Sequence, residues 1–408
     1  MATVPAFMNP HRVSVMLAVA LLLSACGGSE TSTTTSSTAI ASTSTPTMAA
    51  TTTLVELEAT VVLEGAPAEL AVAIDALYSW ILDPSSPPPG SIADSLAAGL
   101  EGVHTDQRSI EVEGTAYLGT IFETPIAVVT AGDDVVLAVD DGEWRIVGAR
   151  LSRFDAPPVY GKTPRLAFVI GSDARPGENP LRFRADSLHI VSTVPGLGDG
   201  AIVGIPRDSW VAASYGGNAK FTNVMASRGP EVVVETAEIL TGLDFEGYIL
   251  TGFKGFVGLV DAFGGFEIDI PFAMSEPKSK AYFNAGEQHI DGTGALAFAR
   301  NRTIAGGDLT RQLHHGLIMK AALFETQRRS IEELPHLLEL LTEYTWTDLS
   351  PEDLLTLAAS AYELNPLTLT NIVVPGTVGT AGAASVVRLD EEAFTIFEDL
   401  TNGLVETP

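Results

Sequence analysis

The sequence predicts an α/β protein: a large region in which apolar strands alternate with helices, preceded by a smaller α+β region. Three observations point there. From Arg165 onward, short apolar runs end in polar, glycine-containing loops, and stretches with helical spacing follow between them. Before that region, four strand-like runs are separated by Asp- and Gly-containing turns. Basic side chains are concentrated as well: the chain has 51 acidic and 23 basic residues, a formal charge of -28, and 15 of the 23 lie between Lys162 and Lys320.

The first 53 residues belong to neither region. Val13 to Leu23 is an apolar run behind His11 and Arg12. It has the length of a signal-peptide core and is too short to span a bilayer securely. It leads into Leu23-Ser24-Ala25-Cys26-Gly27, which resembles a bacterial lipobox, and Cys26 is the only cysteine. The other reading is an ordinary signal peptide with an incidental cysteine behind it. On the lipobox reading, residues 1–25 are the leader and the mature chain starts at a diacylated Cys26. Two acyl chains anchor stably where one is marginal. The protein would then work outside the cytoplasm, tethered to the outer face of the membrane. Residues 26–53 form a linker, since Ser29 to Thr53 is almost entirely Ser, Thr and Ala and cannot build a core. The acidic balance excludes nucleic acid as a partner, because no broad basic face is left to displace counterions. It also excludes simple adsorption to an anionic lipid surface.

Residues 54–159 read as the small α+β region. Leu70, Ile74, Leu77, Tyr78 and Ile81 give Pro67 to Leu82 helical spacing, and the Pro84 to Gly90 run breaks it. A second helix is expected over Ser91 to Leu100 with Ser91 as its cap. Strands are expected at Arg108 to Leu118, Thr124 to Thr130, Asp134 to Val139 and Glu143 to Leu151, with turns at Gly132-Asp133-Asp134 and Asp140-Asp141-Gly142. A helix pair followed by such a sheet loosely resembles the nuclear-transport-factor-2-like fold. His104, Asp106 and Arg108 read as a solvated turn, and the region as a spacer or recognition module.

Residues 160–408 read as one domain with a C-terminal extension. Leu166 to Ile170, Leu188 to Thr193 and Ala201 to Gly204 are expected strands, and Val232 to Leu240 a helix. Val257 to Ala262, Phe266 to Ile270 and a helix at Gly294 to Arg302 continue the alternation. Helices follow at Thr310 to Phe324, Ile331 to Leu341 and Pro351 to Tyr362. A strand at Leu369 to Val374 and a helix at Glu391 to Leu400 close the chain.

The polar motifs sit at the ends of these strands and at helix starts. They read Gly171-Ser172-Asp173-Ala174-Arg175, Arg184-Ala185-Asp186-Ser187, Ile205-Pro206-Arg207-Asp208-Ser209, Ala299-Arg300-Asn301-Arg302 and Asp308-Leu309-Thr310-Arg311. Asp173 and Asp186, with Ser172 and Ser187 beside them, suit a hard divalent cation such as Mg²⁺; they equally suit loop and cap positions. Arg184, Arg207, Arg300, Arg302 and Arg311 suit bidentate phosphate contacts. Each alone could pair with a surface carboxylate. Residues two apart on a helix do not share a face, so the helix must end at Arg300 for Arg300 and Arg302 to point inward together. Pro206 ends its strand and aims Arg207 and Asp208 at the loop side, where ligands sit in open α/β sheets. Asp208 could hold Arg207 or accept a proton. Gly196-Leu197-Gly198-Asp199-Gly200 precedes a strand and reads as a β-turn, unlike a dinucleotide loop. Asn301-Arg302-Thr303 matches a glycosylation sequon, but the lipobox points to a bacterium. His314 and His315 are adjacent and make no metal pair.

In this order the motifs resemble the LytR-CpsA-Psr family, also labelled cell envelope-related transcriptional attenuator proteins, from about Ala167 to Leu323 and more weakly to Leu400. The resemblance implies an α/β/α sandwich around a mixed sheet. It implies an extracytoplasmic phosphotransferase that moves an anionic glycopolymer from a polyprenyl-pyrophosphate carrier to peptidoglycan. It makes Asp173 and Asp186 the Mg²⁺ carboxylates. Arg184, Arg207, Arg300, Arg302 and Arg311 clamp the pyrophosphate, and Lys220 matches a family lysine. The prenyl chain would lie in an apolar groove to which Val232 to Val260 contributes, and Asp208 or Asp308 would orient the attacking hydroxyl. The chain departs from the family at His314 and His315, where a second Arg and a Gln are usual, and at Thr222, where an Asn is usual. The two histidine replacements and the added N-terminal region keep open a non-catalytic envelope protein that binds prenyl-linked glycan or peptidoglycan; a hydrolase that uses water as acceptor is a variant of the transferase.

Overall fold

The computed structural model describes residues 57–406, apart from 84, 303 and 304. The expected leader, Cys26 and the linker lie outside the described residues, as does Thr303 of the sequon.

The first part runs β1 (Glu58–Glu64), α1 (Ala68–Leu82), α2 (Asp94–Gly99), β2 (Ser109–Ile121), β3 (Thr124–Ala131), β4 (Asp134–Asp140) and β5 (Trp144–Arg150). The sheet order is β1-β2-β3-β4-β5. The four expected strands form an antiparallel meander. Ahead of them, β1 is an addition that the sequence reading lacked, and it pairs parallel to β2. The second helix is shorter than expected. It starts at Asp94 with Ala93 as cap, because Ile92 bridges Ile146 and the Ser91 carbonyl accepts from Ile146 N at 2.7 Å. Ser91 is therefore tied to the sheet and cannot cap.

The larger part runs β6 (Arg165–Ser172), β7 (Ala185–Val194), β8 (Asp199–Gly204), β9 (Trp210–Ala212), β10 (Asn218–Lys220), α3 (Phe221–Arg228), α4 (Pro230–Thr241), β11 (Tyr248–Thr251) and α5 (Phe253–Ala262). Then come β12 (Phe266–Ile270), β13 (Met274–Glu276), β14 (Ala281–Phe283), β15 (Gly286–Ile290), α6 (Gly292–Arg300) and α7 (Asp308–Gln327). The chain closes with α8 (Leu334–Tyr344), β16 (Trp346–Thr347), α9 (Pro351–Ser360), β17 (Thr370–Val373), β18 (Gly376–Ala381), β19 (Ala384–Leu389) and α10 (Glu391–Asp399).

The central sheet has the order β16-β11-β6-β7-β8-β17. It is mixed, as expected: β11 lies parallel to β6 and β17 to β8, while β6, β7 and β8 are antiparallel to one another. One side carries α3, α4 and α10 over a core that includes Phe168, Ile190, Val203, Phe221, Val233 and Phe397. A second core joins α5, α6 and α7 to β12 through Val260, Phe266, Phe298 and Ile318. Val257 to Ala262 is helical: Phe253, Phe256, Val257 and Val260 recur at the spacing of one helix face. The strand in this stretch comes earlier, at β11.

Helices α8 and α9 leave the central sheet's own cores and join the first sheet instead. Leu334, Leu338, Leu354 and Leu355 share one core with Leu77, Val128, Leu137 and Val147. That second cover explains why β4 is buried on both faces, reading as a continuous Val-Val-Leu-Ala-Val run.

Candidate active site

The site is built where β6 ends and β7 begins. Gly171 pairs with Ser187 and Ser172 with Ala185, so Asp186 is the extra residue of a β-bulge. Bulges re-aim side chains beside functional sites, and this one turns Asp186 toward the arginines. Asp173 N bonds the Arg184 carbonyl at 3.0 Å, and Arg184 Nη2 reaches Asp173 Oδ2 at 2.5 Å.

Asp186 is the hub. Arg207 Nη1, from the loop after β8, lies 2.6 Å from its Oδ1. Arg302 Nη2 and Arg311 Nη1 lie 3.4 and 4.0 Å from its Oδ2. Asp308, in the first turn of α7, holds Arg311 Nη2 at 2.5 Å and lies 3.6 Å from Arg207 Nε. Helix α6 does end at Arg300; Asn301 turns extended, and Arg302 swings back toward Asp186. Arg300 has no ion pair among the described residues, and its guanidinium sits 4.9 Å from the Phe253 ring centroid.

Asp208 does not hold Arg207. Its partner is Lys220 Nζ at 3.0 Å, while its backbone carbonyl accepts from Val387 N of the β18–β19 hairpin. Asp208 and Lys220 therefore form a separate pair one residue beyond the cluster.

A cavity of about 690 Å³ opens from the cluster. Its mouth carries Asp173, Arg175, Arg184, Asp186, Arg300, Arg302 and Arg311. Its walls are apolar: Phe253, Phe256 and Leu259 of α5, Ile318 and Met319 of α7, and Leu337, Leu338 and Leu341 of α8. Only the later half of the expected Val232 to Val260 wall takes part. Helix α4 buries Val233, Val234 and Ala237 in the core on the other side of the sheet. The residues of α8 were not foreseen, since they lie about 80 residues beyond α5 and read as plain core leucines. Arg175 and Lys278 at the mouth were also missed. Arg175 lay in a motif already noted, whereas Lys278 lies between two short strands with no motif around it.

Several polar atoms of the cluster are buried without a hydrogen bond. They include Asp173 Oδ1, Arg207 Nε and Arg311 Nε. Arg311 is 3% exposed, and burial pushes its guanidinium down to about 10, against the pull of Asp308. It stays charged at neutral pH. Buried groups of this kind are costly unless a partner arrives. The donor chemistry also fits a magnesium ion, which takes one or two carboxylates and completes its shell with water and phosphate oxygens. Asp173 and Asp186 would supply them. Among the described residues no group of three or more metal-ligating side chains forms a closed cage.

The two histidines part ways. His314 stacks on Phe298, with centroids 4.4 Å apart, and neither ring nitrogen has a partner. Burial lowers its pKa to about 4, so it is a neutral core residue. His315 lines the cavity but is committed to the Ala299 carbonyl at 2.8 Å and Gln312 Oε1 at 3.2 Å. Burial also holds it well below the usual range. Neither is a protonated donor to phosphate at neutral pH.

A sequence model of the LytR_cpsA_psr family matches residues 158–401. The chain belongs to this family. Among curated LytR_cpsA_psr relatives, the probable cell wall biosynthesis protein LcpB of Corynebacterium glutamicum is 32% identical over 190 residues, 43% of this chain and 46% of LcpB. The polyisoprenyl-teichoic acid–peptidoglycan teichoic acid transferase TagV of Bacillus subtilis is 32% identical over 127 residues, 29% of this chain and 32% of TagV. The chain thus matches half or less of the length of these relatives. The crystal structure of B. subtilis TagV superposes with a TM-score of 0.53 at 24% identity, covering 60% of this chain and 99% of that one. That likeness establishes the α/β fold of the larger part. The first sheet lies ahead of the family match.

Proposed function

We propose that this LytR_cpsA_psr protein transfers an anionic glycopolymer from a polyprenyl-pyrophosphate carrier to peptidoglycan, outside the cytoplasm and anchored through a lipidated Cys26. The observation that carries the reading is the set of buried, unsatisfied guanidinium and carboxylate atoms at the mouth of an apolar cavity. A ligand that satisfies both must be anionic at one end and hydrocarbon at the other.

Phosphoryl transfer asks for positioning and charge neutralisation more than covalent help. Arg184, Arg207, Arg302 and Arg311 are held in place by Asp173, Asp186 and Asp308 before any substrate arrives. Preorganised donors of this kind stabilise charge without reorganisation. Arg300, with no ion pair among the described residues, adds further positive charge toward the phosphates. A magnesium ion on Asp173 and Asp186 would supply neutralisation of phosphate oxygens. Asp308 Oδ1 lies against both Arg311 and Arg207 and serves to position them. Asp208 pairs with Lys220 and, behind Asp173 and Asp186, lies close enough to Arg184 to help raise it, and it is the better group to orient an attacking sugar hydroxyl and take its proton. That hydroxyl attacks the glycan-linked phosphorus, its bond to the bridging oxygen breaks, and lipid phosphate leaves with that oxygen.

The test is release of prenyl phosphate from a prenyl-pyrophosphate-linked sugar by the purified protein with Mg²⁺, with and without peptidoglycan. Release that needs peptidoglycan supports the transferase. Release that does not would make the protein a hydrolase, and binding without release a non-catalytic carrier. Turnover unchanged in both Arg207→Ala and Asp186→Ala would overturn the assigned site. Lipid anchoring is checked separately, by the mass of the mature N-terminus in wild type and Cys26→Ala.

A further inference from the structure

The first sheet lies ahead of the family match, yet it backs the cavity. Arg311 at the mouth and Thr326 both line the cavity from α7. At about 1.5 Å of rise per residue they stand about 22 Å apart, so Thr326 marks the deep end. Next to it, Gln327 Nε2 donates to the carbonyl of Ala361, another lining residue, at 2.6 Å. Helix α8 runs the other way. At its C-terminal end the Tyr344 carbonyl accepts from Thr251 Oγ1 at 3.3 Å, two residues before Phe253, which holds Arg300 over its ring. Leu334, which opens α8 and lines the cavity, therefore belongs to the deep end.

The side-chain rows of α8 divide between two neighbours. Leu337 and Leu341, four apart, line the cavity. Pro335 and Glu339, also four apart, meet β2. A Cβ on Gly119 would come within 2.7 Å of Pro335 Cβ and 3.3 Å of its carbonyl carbon. Thr120 N donates to Glu339 Oε1 at 3.1 Å. Leu334 and Leu338 lie between those rows; they line the cavity and are also buried in one core with Leu77, Val128 and Leu137. A single helix thus separates the first sheet from the apolar space. Arg145 and Arg150 of β5 fix the following stretch to the same sheet, through Glu352 at 2.6 Å and Glu363 at 2.7 Å. A mere spacer needs no such seat. We propose that the first sheet sets the deep wall of the cavity. Gly119 is the positioning residue: it lets α8 stand back against β2, and so fixes the length of prenyl chain the cavity admits. The inference rests on the reading of the cavity as a prenyl site.

The test is calorimetry of geranyl, farnesyl and geranylgeranyl phosphate with the purified chain and with Gly119→Val. Valine suits a strand, but its Cβ meets the backbone of Pro335, so α8 must move away from β2 and into the cavity. Wild type should bind more tightly as the chain lengthens. Gly119→Val should bind geranyl phosphate as wild type does and geranylgeranyl phosphate about tenfold more weakly. If Gly119→Val fails to fold, Gly119→Ala carries the same comparison, with a smaller loss still confined to the longest chain. Affinities unchanged at all three lengths, or weakened equally at all three, overturn the proposal and leave the prenyl site standing. Wild-type affinity that does not grow with chain length overturns both.

Discussion

Arg165 and Arg311 are both buried, at 1% and 3% exposure, yet their surroundings differ. Every guanidinium nitrogen of Arg165 is used. Nε and Nη2 meet Glu246, Nη1 donates to the Tyr160 carbonyl and Thr356 Oγ1, and Nη2 also reaches the Asp353 carbonyl. The set ties β6 to the segment before it, to α9 and to the turn before β11. Asp134 is closed in the same way by Tyr78 Oη at 2.8 Å and by Arg153. Arg311 has Asp308 and the Asp186 carbonyl for Nη2, but its Nε has no hydrogen-bond partner among the described residues. A closed polar set holds architecture together, and an open one awaits a ligand. The same residue type at the same depth therefore has two uses, told apart by counting its partners.

This contrast can be broken by substitution. Arg165→Met should destabilise the fold by about 3–5 kcal/mol, because it strands buried Glu246; denaturant unfolding measures it. Turnover per folded molecule should be unchanged. Arg311→Met should do the reverse. Asp308 is partly exposed and regains water, so the melting temperature should barely move, while turnover falls about 10²–10³-fold. Equal behaviour of the two variants would dissolve the distinction. A smaller effect is expected in the cavity wall. Leu259→Trp should weaken binding of a long prenyl phosphate about tenfold and leave inorganic pyrophosphate binding intact, which calorimetry separates.

The smallest effect concerns pH. Burial lowers His189 and His314 from the ordinary 6.5 to about 4. Between those values the unfolded chain binds protons that the folded chain refuses, so stability falls as pH drops through the window and levels off below it. His314→Phe removes one such group and should flatten the slope by roughly 1 kcal/mol per pH unit. An unchanged slope would mean that His314 is not buried as described.

Much of this was legible in the sequence because the signals were local. Pro206, the strand ends at Asp173 and Asp186, and the two-residue spacing of Arg300 and Arg302 all constrain their own neighbourhoods. What was missed depends on distant partners. The strand β1 lies in the expected α+β region but was given no element there, since its pairing partner begins about 50 residues later. Val257 to Ala262 fits a strand by composition, and only the cavity beneath it explains an apolar helix whose face stays half-exposed. Asp208 stands beside Arg207 in sequence, but its backbone is held by Val387 and its side chain by Lys220. His314 stood in a motif position and turned into the core, where Phe298 covers it.

The central claim is that the open cluster and the apolar cavity form one site for a lipid pyrophosphate. Calorimetry of the purified chain with farnesyl pyrophosphate, inorganic pyrophosphate and farnesol tests it most directly. The pyrophosphate lipid should bind more tightly than either half, and Arg311→Met should remove most of that advantage. Farnesyl pyrophosphate that binds no tighter than farnesol, or that binds Arg311→Met as it binds wild type, would contradict the account.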